Sequence, residues 1–153
     1  MTLLVTLVLA ANPAAAGEKS IEPSALPAAI QAAVAAGYPG ASMTAASTEV
    51  EHGAREYEVG IQLGDRSIDL AYTADGTLLE EEEIVALAAT PAAVQEKAAT
   101  YTGWTVKGVE RATAKGVTIY EVDLRQGKKR MEVKLDATGA VKGKEHGGND
   151  DAP

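Results

Sequence analysis

The sequence predicts an α+β protein of two tandem repeats, each one helix packed on a three- to four-stranded antiparallel sheet. Three observations point there: a self-similarity with an offset of 63 to 64 positions, a switch from helical to alternating apolar period inside each repeat, and glycines at matching turns. Leu26-Pro27-Ala28-Ala29-Ile30-Gln31 returns as Thr90-Pro91-Ala92-Ala93-Val94-Gln95. With one residue of slippage, Gly40, Gly53, Gly64 and Gly76 meet Gly103, Gly116, Gly127 and Gly139. Tyr57-Glu58-Val59 meets Tyr120-Glu121-Val122. The repeats are bounded at residues 24–84 and 90–145, and the apolar segment Val85 to Ala89 is expected to be a packed connection.

Each repeat opens with a helix. Ser24 and Thr90 are expected to cap it, with Pro27 and Pro91 in the first turn, where a missing N–H costs little. Leu26, Ile30 and Val34 form one apolar stripe; Val94, Ala98 and Tyr101 form the other. Gly37 with Pro39 ends the first helix and Gly103 follows the second. The period then becomes two. Tyr57, Val59, Ile61 and Leu63 face one way, and Ile68, Leu70 and Tyr72 answer them across a hairpin tip at Gly64-Asp65. Tyr120, Val122 and Leu124, then Met131, Val133 and Leu135, repeat the pattern around Gln126-Gly127-Lys128. Further strands are predicted at Ser42 to Glu51, Thr77 to Ile84, Thr105 to Ala114 and Ala140 to Glu145. Clean alternation gives each sheet a buried face, covered by the helix, and a wet one. Val122 is thus expected in the core, and Glu121, one residue away, on the solvated face.

The ends read differently. Leu3 to Ala11 is an apolar run too short to span a bilayer, which needs about 20 residues. Asn12-Pro13 and Ala14-Ala15-Ala16 follow, so residues 1–16 read as a signal peptide with the mature chain starting at Gly17. That implies a periplasmic or secreted protein. No other apolar run is long enough for a membrane span. Residues 146–153 are Gly-, Asp- and Asn-rich and are expected to form a disordered tail.

Composition excludes much chemistry. The 153 residues include no cysteine and two histidines, so thiolate zinc sites, disulfides, cysteine nucleophiles and multi-histidine metal sites are ruled out. His52 and His146 have no G-x-S-x-G serine to serve, and no phosphate loop is present. Ala71 to Glu82 lacks the first carboxylates of an EF-hand loop. No enzyme, cofactor or resident metal is expected. A net charge of −8 argues against nucleic acid.

The charge distribution points to a binding surface. Residues 17–84 hold 3 basic against 13 acidic side chains; residues 85–145 hold 11 against 7. The wet face of the first sheet is expected to carry Glu56, Glu58, Asp69 and Glu81, and that of the second Arg125, Arg130, Lys134 and Glu132, with Lys128 and Lys129 at its hairpin tip. The run Glu80 to Glu83 reads as a solvated edge that blocks aggregation. Trp104 either caps a core or stands exposed as an anchor. The candidate partner-binding residues are therefore Glu56, Glu58, Asp69, Trp104, Arg125, Lys128, Lys129 and Arg130. Such a bipolar surface suits a protein partner or head-to-tail self-association. A small-ligand or calcium sensor using the acidic first repeat is the alternative.

Leu26-Pro27 opening an Ala-rich helix, Tyr38-Pro39-Gly40-Ala41, Tyr57-Glu58-Val59 and Asp75-Gly76-Thr77-Leu78-Leu79-Glu80 together resemble the PepSY-like, beta-lactamase-inhibitor-like family. The second repeat keeps Pro91, Tyr120-Glu121-Val122 and Gly139 but has Thr138 where Asp75 stood. The resemblance implies an exported, usually periplasmic protein with a helix-on-sheet fold in tandem. It also implies a non-catalytic role, binding or inhibiting a peptidase or related envelope enzyme. It carries no catalytic residues.

Overall fold

The computed structural model describes residues 18–51 and 53–147. The signal-peptide reading of residues 1–16, His52 and residues 148–153 of the expected tail lie outside them. The chain divides into two compact units, one up to Glu81 and one from Glu82. Among the described residues there are nine strands and two α-helices. Within each unit, strand order follows chain order and every pairing is antiparallel.

The first unit contains β1 (Lys19–Ser20), α1 (Ala28–Gly37), β2 (Ser42–Glu51), β3 (Ala54–Leu63), β4 (Arg66–Thr73) and the start of β5 (Leu78–Val85). Its core is the predicted one. Leu26, Ile30 and Val34 pack on Ala46, Val59, Ile61, Ile68, Leu70 and Tyr72, all buried. Each fully buried Val, Leu or Ile contributes about 1.5–3 kcal/mol relative to exposure, so the short α1 is held by its apolar stripe rather than by its own length. The second unit contains the end of β5, α2 (Ala92–Ala99), β6 (Thr105–Ala114), β7 (Val117–Gln126), β8 (Lys129–Asp136) and β9 (Val141–Gly147). Val94 and Ala98 pack on Val109, Val122, Leu124, Met131, Val133 and Leu135.

Details of the register repeat as well. A bulge between Met43 and Ala45 recurs between Val106 and Gly108. The hairpins after β3 and β7 use two-residue loops that begin with Gly64 (φ 60°) and Gly127 (φ 58°), the positive first torsion of a type II′ turn.

Three expectations are corrected. Ser24 and Thr90 do not cap the helices: neither helix has a side-chain cap, and Pro27 and Pro91 occupy the cap positions themselves. Gln31 and Gln95 take over instead, each donating its side-chain amide to the carbonyl of Leu26 or Thr90, at 2.9 and 2.8 Å. His146 and Gly147 are not tail but the end of β9, paired with Met131 and Arg130. Finally, the first sheet has a short extra strand, β1, paired with Ser47 and Thr48. Two residues are too few to show an alternating pattern.

The turn before the last strand of each unit touches the helix. A Cβ on Gly76 would lie 2.7 Å from the Ala29 carbonyl oxygen, and one on Gly139 2.5 Å from that of Ala93. Both glycines have positive φ, 86° and 77°. These turns alternate donor and acceptor between repeats. Thr73 donates its hydroxyl to Asp75, while Thr138 donates its hydroxyl to Asp136 at 2.6 Å. The second repeat therefore moved its aspartate by two positions and kept the bond. Gly139→Ala should cost about 3 kcal/mol, combining torsional strain with the clash. Gly127→Ala, with open space around its Cβ, should cost only about 1 kcal/mol. Urea unfolding of both variants tests this; equal losses would remove the helix contact from the account.

Candidate functional site

The wet faces are the surfaces that the helices leave uncovered. In the first unit, cross-strand pairing places Ser47, Glu58 and Ala71 in one row, Glu49, Glu56 and Thr73 in another, and Gly60 beside Asp69. Glu56, Glu58 and Asp69 therefore share one face, as the alternation predicts. The open-face positions of β2, β3 and β4 contain no lysine or arginine. Burial pushes the Glu58 carboxyl above its ordinary value, and the charges of Glu49 and Glu18 push it further; the Ser47 hydroxyl, donating to Glu58 Oε2 at 3.2 Å, opposes them. Burial also raises Asp69. Gly60 makes room for this carboxylate: a Cβ there would lie 3.2 Å from Asp69 Oδ1. The face thus concentrates acidic groups at a cost to their ionisation.

Glu81 does not belong to this face. It accepts a hydrogen bond from the Tyr38 hydroxyl at 2.5 Å, at the end of α1. Burial and then this bond raise the Tyr38 phenol well above its ordinary range. Nor is the glutamate run a solvated edge. Glu83 is buried and pairs with Arg111 at 2.5 Å.

In the second unit the open face carries Glu110, Glu121 and Lys134 in one row and Asp123, Glu132 and Glu145 in the next. Arg125 stands opposite Arg130 at the hairpin end, and Lys128 and Lys129 are exposed at the tip. The basic candidates are thus together on one hairpin. Trp104 is half-buried against the second core, which fits a packing role better than an exposed anchor.

Glu121 departs from expectation. Its face is the predicted one, but the residue is only 3% exposed. Lys134 covers it, with Nζ 3.2 Å from Glu121, 3.4 Å from Glu132 and 3.8 Å from Glu145. Period-two patterning reports the face and not the length of neighbouring side chains, so this burial is not visible in the alternation. Burial, then the carboxyl of Glu132, push Glu121 up to about 8, while Lys134 opposes them. Burial works against the Lys134 ammonium, but Glu121, Glu132 and Glu145 outweigh it and hold it charged. The Lys134 ammonium, 3.2 Å from Oε1, is the cation set against this buried carboxyl. Among the described residues no three acids or histidines are placed to hold a metal ion.

The family model described as "Putative beta-lactamase-inhibitor-like, PepSY-like" matches residues 15–80 and again 80–142. The chain belongs to this family. The PepSY-like fold is shared with solved structures at low identity. A DUF2874 family protein from Bacteroides uniformis superposes with a TM-score of 0.67 at 17% identity, covering 78% of this chain and 88% of that one. A BLIP-like protein from Bacteroides fragilis gives 0.63 at 24%, covering 81% and 89%. A structure from Bacteroides eggerthii described as "putative periplasmic proteins" gives 0.66 at 16%, covering 79% and 88%. No curated protein matches. No helix among the described residues is long and apolar enough to cross a membrane.

Glu121 makes a pH prediction. Unfolded, it titrates near the ordinary 4.5; folded, near 8. Between those values the folded unit keeps a proton that the unfolded chain releases. Its contribution to stability is complete below about 4.5 and is lost as the pH rises to about 8. Relative to wild type, Glu121→Gln should flatten the melting temperature across this window and melt higher at its alkaline end. Parallel pH profiles for the two proteins would contradict a raised Glu121 carboxyl.

Proposed function

We propose that the protein is an exported, non-catalytic binding module whose acidic open face on the first unit docks the basic surface of a protein partner. The observation that carries this reading is the set of open-face positions around Glu56, Glu58 and Asp69, which concentrates carboxylates without an intervening lysine or arginine. A partly desolvated, mutually repelling acidic cluster destabilises the unit that holds it, and a partner's cations relieve that cost. Membership of an inhibitor-like family supports a binding role. The N-terminal apolar segment and the description of the Bacteroides eggerthii relative support a periplasmic location. The partner class that fits the family is a peptidase or related envelope enzyme. The basic hairpin Lys128, Lys129 and Arg130 of a second copy has the same complementary charge, which makes head-to-tail self-association the competing use of this face.

Capture with the mature chain from an envelope fraction identifies the partner, and binding kinetics then test the face. Glu58→Gln combined with Asp69→Asn should melt at or above the wild-type temperature, because two penalised charges are removed. The same variant should slow association about tenfold and reduce its salt dependence. A variant that binds as fast as wild type would exclude this surface. Concentration-dependent assembly abolished by reversing Lys128, Lys129 and Arg130 to Glu would replace the foreign partner with a second copy.

A further inference from the structure

We propose that the outer edge of β9 is a strand-addition site for an extended, acidic segment of a protein partner. Among the described residues, β9 is the last strand of its sheet, and its outer backbone groups have no strand beside them. Such a row of N–H and C=O groups is a template for another extended chain. What the edge admits is decided by its side chains. Lys144 lies opposite Val133 and His146 opposite Met131, so both point to the helix side of the sheet, where Val133 and Met131 are core residues. The Lys144 ammonium sits 5.0 Å from the centre of the Tyr101 ring, held at the rim of the core by the ring face. Lys142, at the bulge between Lys134 and Leu135, pairs with Asp136 at 2.8 Å.

The equivalent position in the first repeat shows how specific this is. Tyr38 and Glu81 stand 63 positions before Tyr101 and Lys144. The tyrosine is kept at the helix end in both, but its partner on the last strand changes from acid to base. β9, which carries Lys144, is the last strand of its sheet among the described residues. An incoming strand that placed apolar or basic residues beside Lys144 would bury or oppose its ammonium, whereas glutamate or aspartate would pair with it. A second copy fits this edge poorly by the same rule: an antiparallel β9–β9 pair centred on Lys144 sets that lysine against itself, one centred on Gly143 sets Lys142 against Lys144, and one centred on Glu145 sets that glutamate against itself.

The test uses the full mature chain and two short acetylated peptides, one alternating threonine with glutamate and one alternating threonine with lysine. Amide hydrogen exchange should show protection across Val141 to Gly147 with the glutamate peptide. The lysine peptide should bind about tenfold more weakly. Methylating the backbone nitrogens of the glutamate peptide should abolish binding. Lys144→Glu should reverse the preference between the two peptides, a result that loss of fold cannot produce. No protection of β9, equal binding of both peptides, or wild-type self-association through this edge would each overturn the proposal. The acidic face of the first unit would be untouched by that failure.

Discussion

One short helix covers one face of each sheet, and the other face must manage without an apolar cover. Most features of the protein follow from this constraint. The covered faces gather Ile30 with Val59, Ile68 and Leu70, and Val94 with Val122, Val133 and Leu135. The uncovered faces are built from long polar side chains that shield one another. In the second unit Lys134 spans three carboxylates, and Glu121 beneath it is buried on a face that looks open by pattern. In the first unit no such lysine is present at the open-face positions, so the carboxylates repel each other. The two units differ in how their open faces are charged: a lysine stands among the carboxyl groups of the second and none stands at the open-face positions of the first.

Duplication supplies an internal control for which contacts the fold requires. The glycine turn against the helix carbonyl is kept in both units, and so is the bulge near the start of the long hairpin. The Asp–Thr bond of the turn survives an exchange of positions. Such elements belong to the scaffold. What differs is charge on the open faces and on the last strands, where neighbours change and the scaffold makes no demand.

Much of this was legible in the residues. Alternation of Tyr57, Val59 and Ile61 with Glu58 and Gly60 gave the strands and their faces, and glycine spacing gave the repeat. Membership of Glu56, Glu58 and Asp69 in one face followed from the same parity. Three things were not legible, for physical reasons. Capping by Gln31 and Gln95 needs side chains that fold back several residues, which overrode the local preference for Ser24 and Thr90. The setting of Glu81 and Glu83 depends on Tyr38 and Arg111, which lie 43 and 28 positions away in the chain. The burial of Glu121 depends on three strands bringing Lys134, Glu132 and Glu110 around it.

The central claim is that an uncovered sheet face is the working surface. Carboxyl footprinting by mass spectrometry, performed on the free chain and on its complex with a captured partner, addresses it most directly. The account predicts that labelling falls on Glu49, Glu56, Glu58 and Asp69 in the complex, while Glu96 on α2 is labelled as before. Protection of helix-side residues with unchanged labelling of Glu56, Glu58 and Asp69 would contradict it.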